Sequence, residues 1–307
     1  MMLLLSQSAM AEPLNSCEAD AGCSEGQPII AAYFLIFDEG YDQTMTVPDD
    51  IPWNKINRLY IAFATVNDGI LTEATADGTS AEEAEEKIRN VINLCHNGNP
   101  DAEIFISSNF GDQSIDDNYL EAARDPQRFA DSVLGFLGKY NLDGYDMDWE
   151  TYRINNYAEE LLTLLSACND TLKQAGPNPH GKPYKVSHSI WPGVHSPETV
   201  ASLKDCVDNI NLMTYGAESG DDLQSYAESY HEAGFPYEKM IGGVESELGY
   251  SENGGHDTQG SIQEKCEVAK EKNLAGMFSW RLDNDMRDQG SPPTFQVANW
   301  LNEAITE

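Results

Sequence analysis

Residues 141–150 read NLDGYDMDWE, and within them Asp146, Asp148 and Glu150 recur at every second position. Alternate side chains of an extended strand project from one face, so these three carboxyl groups stand in a row, each roughly 6–7 Å from the next. Tyr145, Met147 and Trp149 occupy the opposite face, which marks that face as the one packed against the rest of the protein. Charge taken out of water is costly. Burial and mutual repulsion therefore raise at least one of the three pKa values and keep a proton in the row. A carboxylic acid that stays protonated near neutrality can give its proton to a leaving group. A solvated acidic face or a calcium site uses the same residue types, but neither explains the apolar alternation.

Such a row has to be held at the end of a strand, and the chain supplies strands in a regular order. Short apolar runs occupy 28–37, 58–66, 102–108, 142–150, 184–191, 209–216, 239–247 and 275–282. Helical patterns alternate with them. Ser80 and Glu83 make a capping box ahead of the stripe Ala84, Ile88, Val91, Ile92 and Cys95, which Gly98 closes. Asp125-Pro126 opens a helix with Ala130, Val133, Leu134 and Leu137 inward. Residues 155–175 put Tyr157, Leu161, Leu164, Leu165, Cys168 and Leu172 on one face, and Ser196-Pro197 and Ser261 with Glu264 open two further helices. The last helix, 293–305, buries Val297, Trp300, Leu301 and Ile305. Between the first two strands Pro48 and Pro52 leave room for a short helix only.

Eight strands alternating with helices predict an α/β protein with a single (β/α)8 barrel over residues 28–307. A doubly wound open sheet is the competing fold, and it normally carries a glycine-rich phosphate turn after its first strand. The stretch LIFDEGYDQ is not such a turn. In a barrel the C-terminal ends of the strands form the active-site face. That places Glu150 outermost, Asp148 beneath it and Asp146 near the core.

The run D-x-x-D-x-D-x-E from Asp143 to Glu150, with Gly144 and Trp149, resembles the signature of glycoside hydrolase family 18, the chitinases and their relatives. INRLYIAFATVNDGIL is similar to that family's second strand, NINLMTYG to its sixth with an M-x-Y element, and GMFSWRLDND to its eighth. The resemblance implies a glycosidase without metal or organic cofactor, acting on chitin or another N-acetylglucosamine-containing oligosaccharide. Glu150 would protonate the glycosidic oxygen, and the substrate's own acetamido oxygen would attack the anomeric carbon. Asp148 would hold the acetamido N–H, Asp146 would share its charge, and Tyr215 would bond the acetamido group. Two carboxylates in the usual acid and nucleophile roles are not required, since this family is an exception to that scheme. Trp280 is expected to floor the sugar site. Tyr33, Phe63, Met213, Asp143 and Glu218 are the further substrate contacts expected, with Glu245 and Glu247 sharing a face of strand seven as possible additions to the cleft.

The chain also departs from the family pattern. Strand three ends in Ser108-Asn109-Phe110-Gly111, where S-x-G-G is usual, and Gly216 follows Tyr215 where many chitinases have Asp or Asn. The short span between strands seven and eight has no room for the α+β insertion that deepens many chitinase clefts. An open groove and internal cleavage follow from that. The competing functions are an endo-β-N-acetylglucosaminidase acting on the chitobiose core of N-glycans and a sugar-binding protein that does not hydrolyse.

The balance of 52 Asp and Glu against 18 Lys and Arg gives a formal net charge of −34. Such a surface repels nucleic acid and anionic lipid. It suits salty surroundings, which screen self-repulsion, or a cationic, partly deacetylated polymer. No apolar run reaches the roughly 18 residues of a membrane span. A monomer without nucleic-acid or membrane partners is therefore expected. MMLLLSQSAMA resembles a truncated export signal cleaved after Ala11, followed by a polar tail over 12–27, so a secreted or periplasmic protein is expected. The six cysteines lack a C-x-x-C pair, which argues against zinc, and an even count behind an export signal fits disulfides, with Cys17–Cys23 the nearest pair. Free thiols buried on helices are the alternative for Cys95, Cys168, Cys206 and Cys266.

Overall fold

The computed structural model describes residues 27–74, 79–108, 113–216, 220–249 and 255–307. Eight parallel strands close into a ring: β1 (Ile29–Leu35), β2 (Arg58–Asn67), β4 (Glu103–Ser108), β5 (Gly144–Met147), β6 (Lys185–Ile190), β7 (Asn209–Leu212), β8 (Met240–Glu245) and β9 (Gly276–Trp280). Pairing of β1 with both β9 and β2 closes the barrel. The helices are α1 (Glu39–Thr44), α2 (Ala81–Gly98), α3 (Gln113–Ala122), α4 (Pro126–Tyr140), α5 (Ala158–Ala175), α6 (Pro197–Ser202), α7 (Asp221–Glu232), α8 (Gln259–Lys272) and α9 (Gln296–Thr306). Among the described residues no helix is long and apolar enough to cross a membrane.

The predicted barrel is the observed one. A ninth strand, β3 (Ile70–Glu73), is an addition that pairs antiparallel with the end of β2. Its cause is local. Asp68 and Gly69 form the two-residue connection with φ of 49° and 72°, the doubly positive geometry of a type I′ hairpin turn. The helix α3 is likewise absent from the sequence expectation. Another difference is the start of α8, which is capped by Thr258, with Ser261 as its reciprocal partner. Helix formation there begins one turn earlier than the Ser261 and Glu264 pair predicts.

Elsewhere the local signals act as read. The side chains of Ser80, Asp125 and Ser196 each accept the backbone N–H three residues on, at 3.1–3.2 Å. Caps of this kind contribute about 1 kcal/mol apiece. The α2 stripe Ala84, Ile88, Val91, Ile92 and Cys95 is wholly buried against the barrel.

Two layers of apolar packing follow from strand alternation. Inside the barrel lie Tyr33, Tyr60, Phe63, Phe105, Ile241 and Phe278, with Tyr215, Met213 and Trp280 packed on top. Outside it, Tyr145, Met147 and Trp149 belong to the larger core beneath the helices. Gly144 is required by the inner layer, because a Cβ there would come within 2.4 Å of the Phe105 ring.

The expected disulfides are not formed among the described residues. Cys95, Cys168, Cys206 and Cys266 are all buried free thiols. They sit on or beside separate helices of the outer shell, and burial pushes the thiols of Cys95 and Cys266 up to about 12. Cys17 and Cys23, together with the predicted signal and tail, lie outside the described residues.

Candidate active site

The strand β5 ends at Met147, but its alternation continues: the Asp148 N–H still bonds to the Ser108 carbonyl of β4 at 3.0 Å. Asp146, Asp148 and Glu150 therefore climb out of the barrel in order. The first two are buried and Glu150 is half-buried.

Asp146 is the best supported of the three. Its Oδ2 accepts from Tyr33 Oη at 2.9 Å, Ser107 Oγ at 2.7 Å and Ser189 Oγ at 3.3 Å. Its Oδ1 accepts from Ser187 Oγ at 2.6 Å and Asn211 Nδ2 at 3.3 Å. Burial raises its pKa, and the ring of hydroxyl donors offsets part of that rise. These donors come from four strands, β1, β4, β6 and β7; Tyr33 was expected at the site as a substrate contact, while the three serines and Asn211 were not anticipated. The signal was present, since polar side chains at alternate positions of IFISS, KVSHSI and NINL point into a barrel that is otherwise apolar.

Asp148 differs sharply. Its Oδ1 is fully buried and has no hydrogen-bond partner among the described residues. Burial, then the neighbouring Glu150 and Asp146, push its pKa well above the usual carboxylate range. Glu150 is pushed up to about 7 by burial. The arrangement thus holds protons on carboxyl groups that water would ionise, with one acceptor oxygen left open.

Around the row stand aromatic rings. Phe63 stacks on Trp280 at 5.9 Å between centroids, and Tyr33 lies 5.6 Å from the same indole. Tyr215 meets Phe278 edge-on at 6.0 Å, and half-buried Met213 packs on the same cluster. Tyr152 is 79% exposed, and its ring lies 4.7 Å from that of Trp191 at the end of β6. This pair of an exposed Tyr152 and a half-buried Trp191 next to the acid was not anticipated.

Tyr215 is held through its neighbours. Lys265 Nζ, fully buried, donates to the carbonyls of Thr214 at 2.6 Å and Gly216 at 2.9 Å. It also pairs with Asp257 at 2.7 Å, whose other oxygen accepts the Gly216 N–H at 3.2 Å. Gly216 has φ of 113°, a backbone conformation that side chains rarely adopt. The departure from Asp or Asn at this position follows from that geometry.

Not every predicted contact belongs here. Asp143 lies at the N-terminal end of β5, where it accepts from the Ile104 N–H and Asn178 Nδ2, both at 2.8 Å, and meets His180 Nδ1 at 2.9 Å. It ties β4 and β5 together at the end of the barrel opposite the carboxylate row. Its spacing of three from Asp146 gives it the wrong strand parity for the cleft. Glu218 lies outside the described residues, as do Asn109, Phe110 and Gly111. Glu247 accepts from Trp280 Nε1 at 3.2 Å and Arg281 Nε at 2.8 Å, so it orients the indole. Glu245 accepts the Glu247 N–H with one oxygen, while the other is buried without a partner among the described residues, and burial pushes its pKa up to about 9.

Two buried histidines lie on the outer, helix-facing side of the strand ends. His188 Nδ1 donates to the Met147 carbonyl at 2.7 Å, and His195 Nδ1 accepts the Trp191 N–H at 3.0 Å. Those bonds fix both tautomers, so His195 Nε2 donates to His188 Nε2 at 3.3 Å. Burial lowers both, to about 4 and about 3, and keeps the pair neutral.

A closed eight-stranded barrel with a carboxylate row on its fourth parallel strand is the architecture of a barrel glycosidase. The family model described as "Glycosyl hydrolases family 18" matches residues 30–248, and the chain belongs to that family. A family 18 chitinase from Cycas revoluta, solved with (GlcNAc)4, superposes with a TM-score of 0.71 at 17% identity, covering 90% of this chain and 99% of that one. A class V chitinase from Nicotiana tobaccum, solved with NAG4, gives 0.72 at 16% identity, with 92% and 99% covered. A chitinase-like agglutinin from Robinia pseudoacacia gives 0.70 at 15% identity, with 90% and 99% covered. These likenesses show the shared (β/α)8 barrel fold.

Proposed function

We propose that the protein is an endo-acting chitinase that cleaves β-1,4 linkages between N-acetylglucosamine units with retention of configuration. The observation that carries the reading is the unpaired Oδ1 of Asp148 beneath the raised carboxyl of Glu150. A buried acceptor without a donor is destabilising, and the N–H of an acetamido group is the donor that this chemistry brings.

Glu150 enters the reaction protonated and gives its proton to the glycosidic oxygen as the C1–O bond breaks. The acetamido carbonyl oxygen attacks C1 and forms a cyclic oxazolinium ion, and the N–H, now more acidic, bonds to Asp148. Asp146, saturated by five donors, fixes Asp148 electrostatically and can share its proton load. The Glu150 carboxylate then takes a proton from water, whose oxygen attacks C1, reopens the ring and restores the acid. Trp280 supplies the flat apolar floor on which the reacting sugar lies, with Glu247 fixing its tilt. Tyr215, braced by Lys265, is the partner of the acetamido group. The connection from Glu245 at the end of β8 to Gly276 at the start of β9 is too short for an insertion domain that would wall the cleft, and this supports internal cleavage.

The agglutinin match favours one alternative, a lectin on the same barrel, because the fold alone serves both. Glu150 is present in this chain and speaks for hydrolysis. Digestion of chitooligosaccharides and, separately, of a high-mannose glycoprotein, read by mass spectrometry, tests all three readings. Shortened chitooligosaccharides are expected. Released intact glycans with untouched chitooligosaccharides establish the endo-β-N-acetylglucosaminidase instead, and binding without cleavage establishes the lectin. Export belongs to the same proposal, and the mature chain is then expected to begin at Glu12, which N-terminal sequencing of the secreted protein checks.

A further inference from the structure

We infer that Asp116, on α3, is the positioning residue that holds Glu150 in its proton-donating place by gripping the residues on either side of it. The inference rests on the chitinase reading. Asp116 is buried, with 2% of its surface exposed, and both of its oxygens are engaged on the segment that follows β5. Its Oδ1 accepts the indole N–H of Trp149 at 2.7 Å. Its Oδ2 accepts the hydroxyl of Thr151 at 3.1 Å and a guanidinium N–H of Arg153 at 2.6 Å.

The segment needs such a grip. Glu150 lies beyond the last residue of β5, and no hydrogen bond from the described residues reaches its carboxylate. Its aim is therefore set by the backbone between Trp149 and Thr151. A single residue that fixes both neighbours fixes the residue between them.

Trp149 shows why the grip has to come from a carboxylate on α3. Its ring is buried between Tyr119 at 4.8 Å and Tyr157 at 5.6 Å, both nearly parallel to it. A buried indole N–H requires an acceptor. Asp116 and Tyr119 are three residues apart, on one face of α3, so that face supplies both the acceptor and the stacking ring. Tyr119 in turn bonds Ser108 Oγ at 2.6 Å, beside the backbone ladder that carries Asp148. Helix, strand end and acid are thereby locked as one unit.

Steady-state kinetics with two leaving groups separates positioning from general structure. The wild type, Asp116→Ala and Asp116→Asn are compared on N-acetylglucosamine hexamer, whose leaving sugar needs a proton, and on the 2,4-dinitrophenyl glycoside of di-N-acetylchitobiose, whose phenolate does not. A misplacement on the order of 1 Å can cost about 100-fold. Asp116→Ala is thus expected to lower kcat on the hexamer by about that factor with KM little changed. On the aryl glycoside kcat/KM, which reports only the steps up to departure of the phenolate, is expected to fall by no more than about fivefold, since acid catalysis contributes little there. Asp116→Asn keeps an acceptor for Trp149 and loses those for Thr151 and Arg153, so an intermediate loss on the hexamer is expected. The alkaline limb of the hexamer pH profile is expected to move to lower pH as Glu150 gains water. Equal losses of kcat/KM on the two substrates with an unmoved limb, or unchanged kinetics on both, overturn the inference. Should Asp116→Ala fail to fold, Asp116→Asn decides by the same criteria. A wild type inactive on both substrates overturns the chitinase reading itself, and this inference with it.

Discussion

The two ends of the barrel both bury charge, and they treat it in opposite ways. At the N-terminal end Arg58 Nη2 pairs with Glu103 at 2.6 Å, and Arg58 Nη1 donates to Asn209 at 2.8 Å. Lys185 bonds the remaining oxygen of Glu103. Burial alone would raise the Glu103 pKa, but the two cations outweigh it and hold the carboxyl below its ordinary value. At the C-terminal end Asp148 and Glu150 have no cation beside them among the described residues, and burial drives both upward. One end is saturated and ionised. At the other, the pair Asp148 and Glu150 is unsaturated and holds protons. An equally buried carboxylate is therefore a brace or an acid according to whether a cation was placed beside it.

The comparison can be broken most strongly at the open end. Glu150→Gln removes the transferable proton while keeping the shape, and loss of general acid–base catalysis costs about 100- to 10,000-fold. A fall of that order in chitooligosaccharide turnover, with binding retained by calorimetry, is the expected outcome.

The closed end should fail in stability, not in chemistry. Arg58→Met leaves Glu103 with Lys185 alone in a buried setting. Removing one partner of a buried pair destabilises by about 3–5 kcal/mol, and the remaining lysine keeps the loss toward the lower figure. Urea unfolding is expected to show it, while turnover per folded molecule stays near the wild-type value.

The pH responses of the two ends should also be opposite. Glu150 has its folded pKa raised to about 7 from 4.5, so the stability tied to its protonated form is complete below pH 4.5 and fades as pH rises through 7. Catalytic turnover that requires the same proton falls over the same upper range. Glu103 is depressed, so its contribution is complete above its unfolded value and is lost as pH falls through its folded one. Relative to wild type, Glu150→Gln is expected to gain stability of about 3 kcal/mol between pH 4.5 and 8, at 1.36 kcal/mol per pKa unit, read from paired unfolding curves.

The smallest effect belongs to the shared interior. Ser187→Ala deletes one of the five donors to Asp146. One hydrogen bond to a charged group contributes about 1.5–3 kcal/mol, and the four remaining donors reduce the loss to about 1 kcal/mol. Turnover is expected to fall only a few-fold.

The sequence made the open end legible because its information is local. Two-residue alternation and the apolar partners Tyr145, Met147 and Trp149 suffice to place Asp146, Asp148 and Glu150 on one face. The same parity rule, applied to Asp143, excludes it from the cleft, although a motif read as a unit includes it. The hydroxyl ring around Asp146 is half legible: each serine shows as a polar residue on an inward position, but only the closed barrel brings four strands to one carboxylate. Asp116 has no comparable signal. It is 33 residues from Trp149, on a helix whose docking against the strand end no local pattern encodes. The β3 hairpin was readable from Asp68-Gly69, whereas α8 was misplaced by one turn because Ser261 looks like a cap and is the partner of one.

The account stands on an N-acetyl group supplying the nucleophile above Asp148, and digestion of a partly deacetylated chitosan addresses this directly. Sequencing the new reducing ends by mass spectrometry should find N-acetylglucosamine at every one. Reducing ends carrying free glucosamine would contradict the account, because a sugar without the acetamido oxygen has nothing with which to attack its own anomeric carbon.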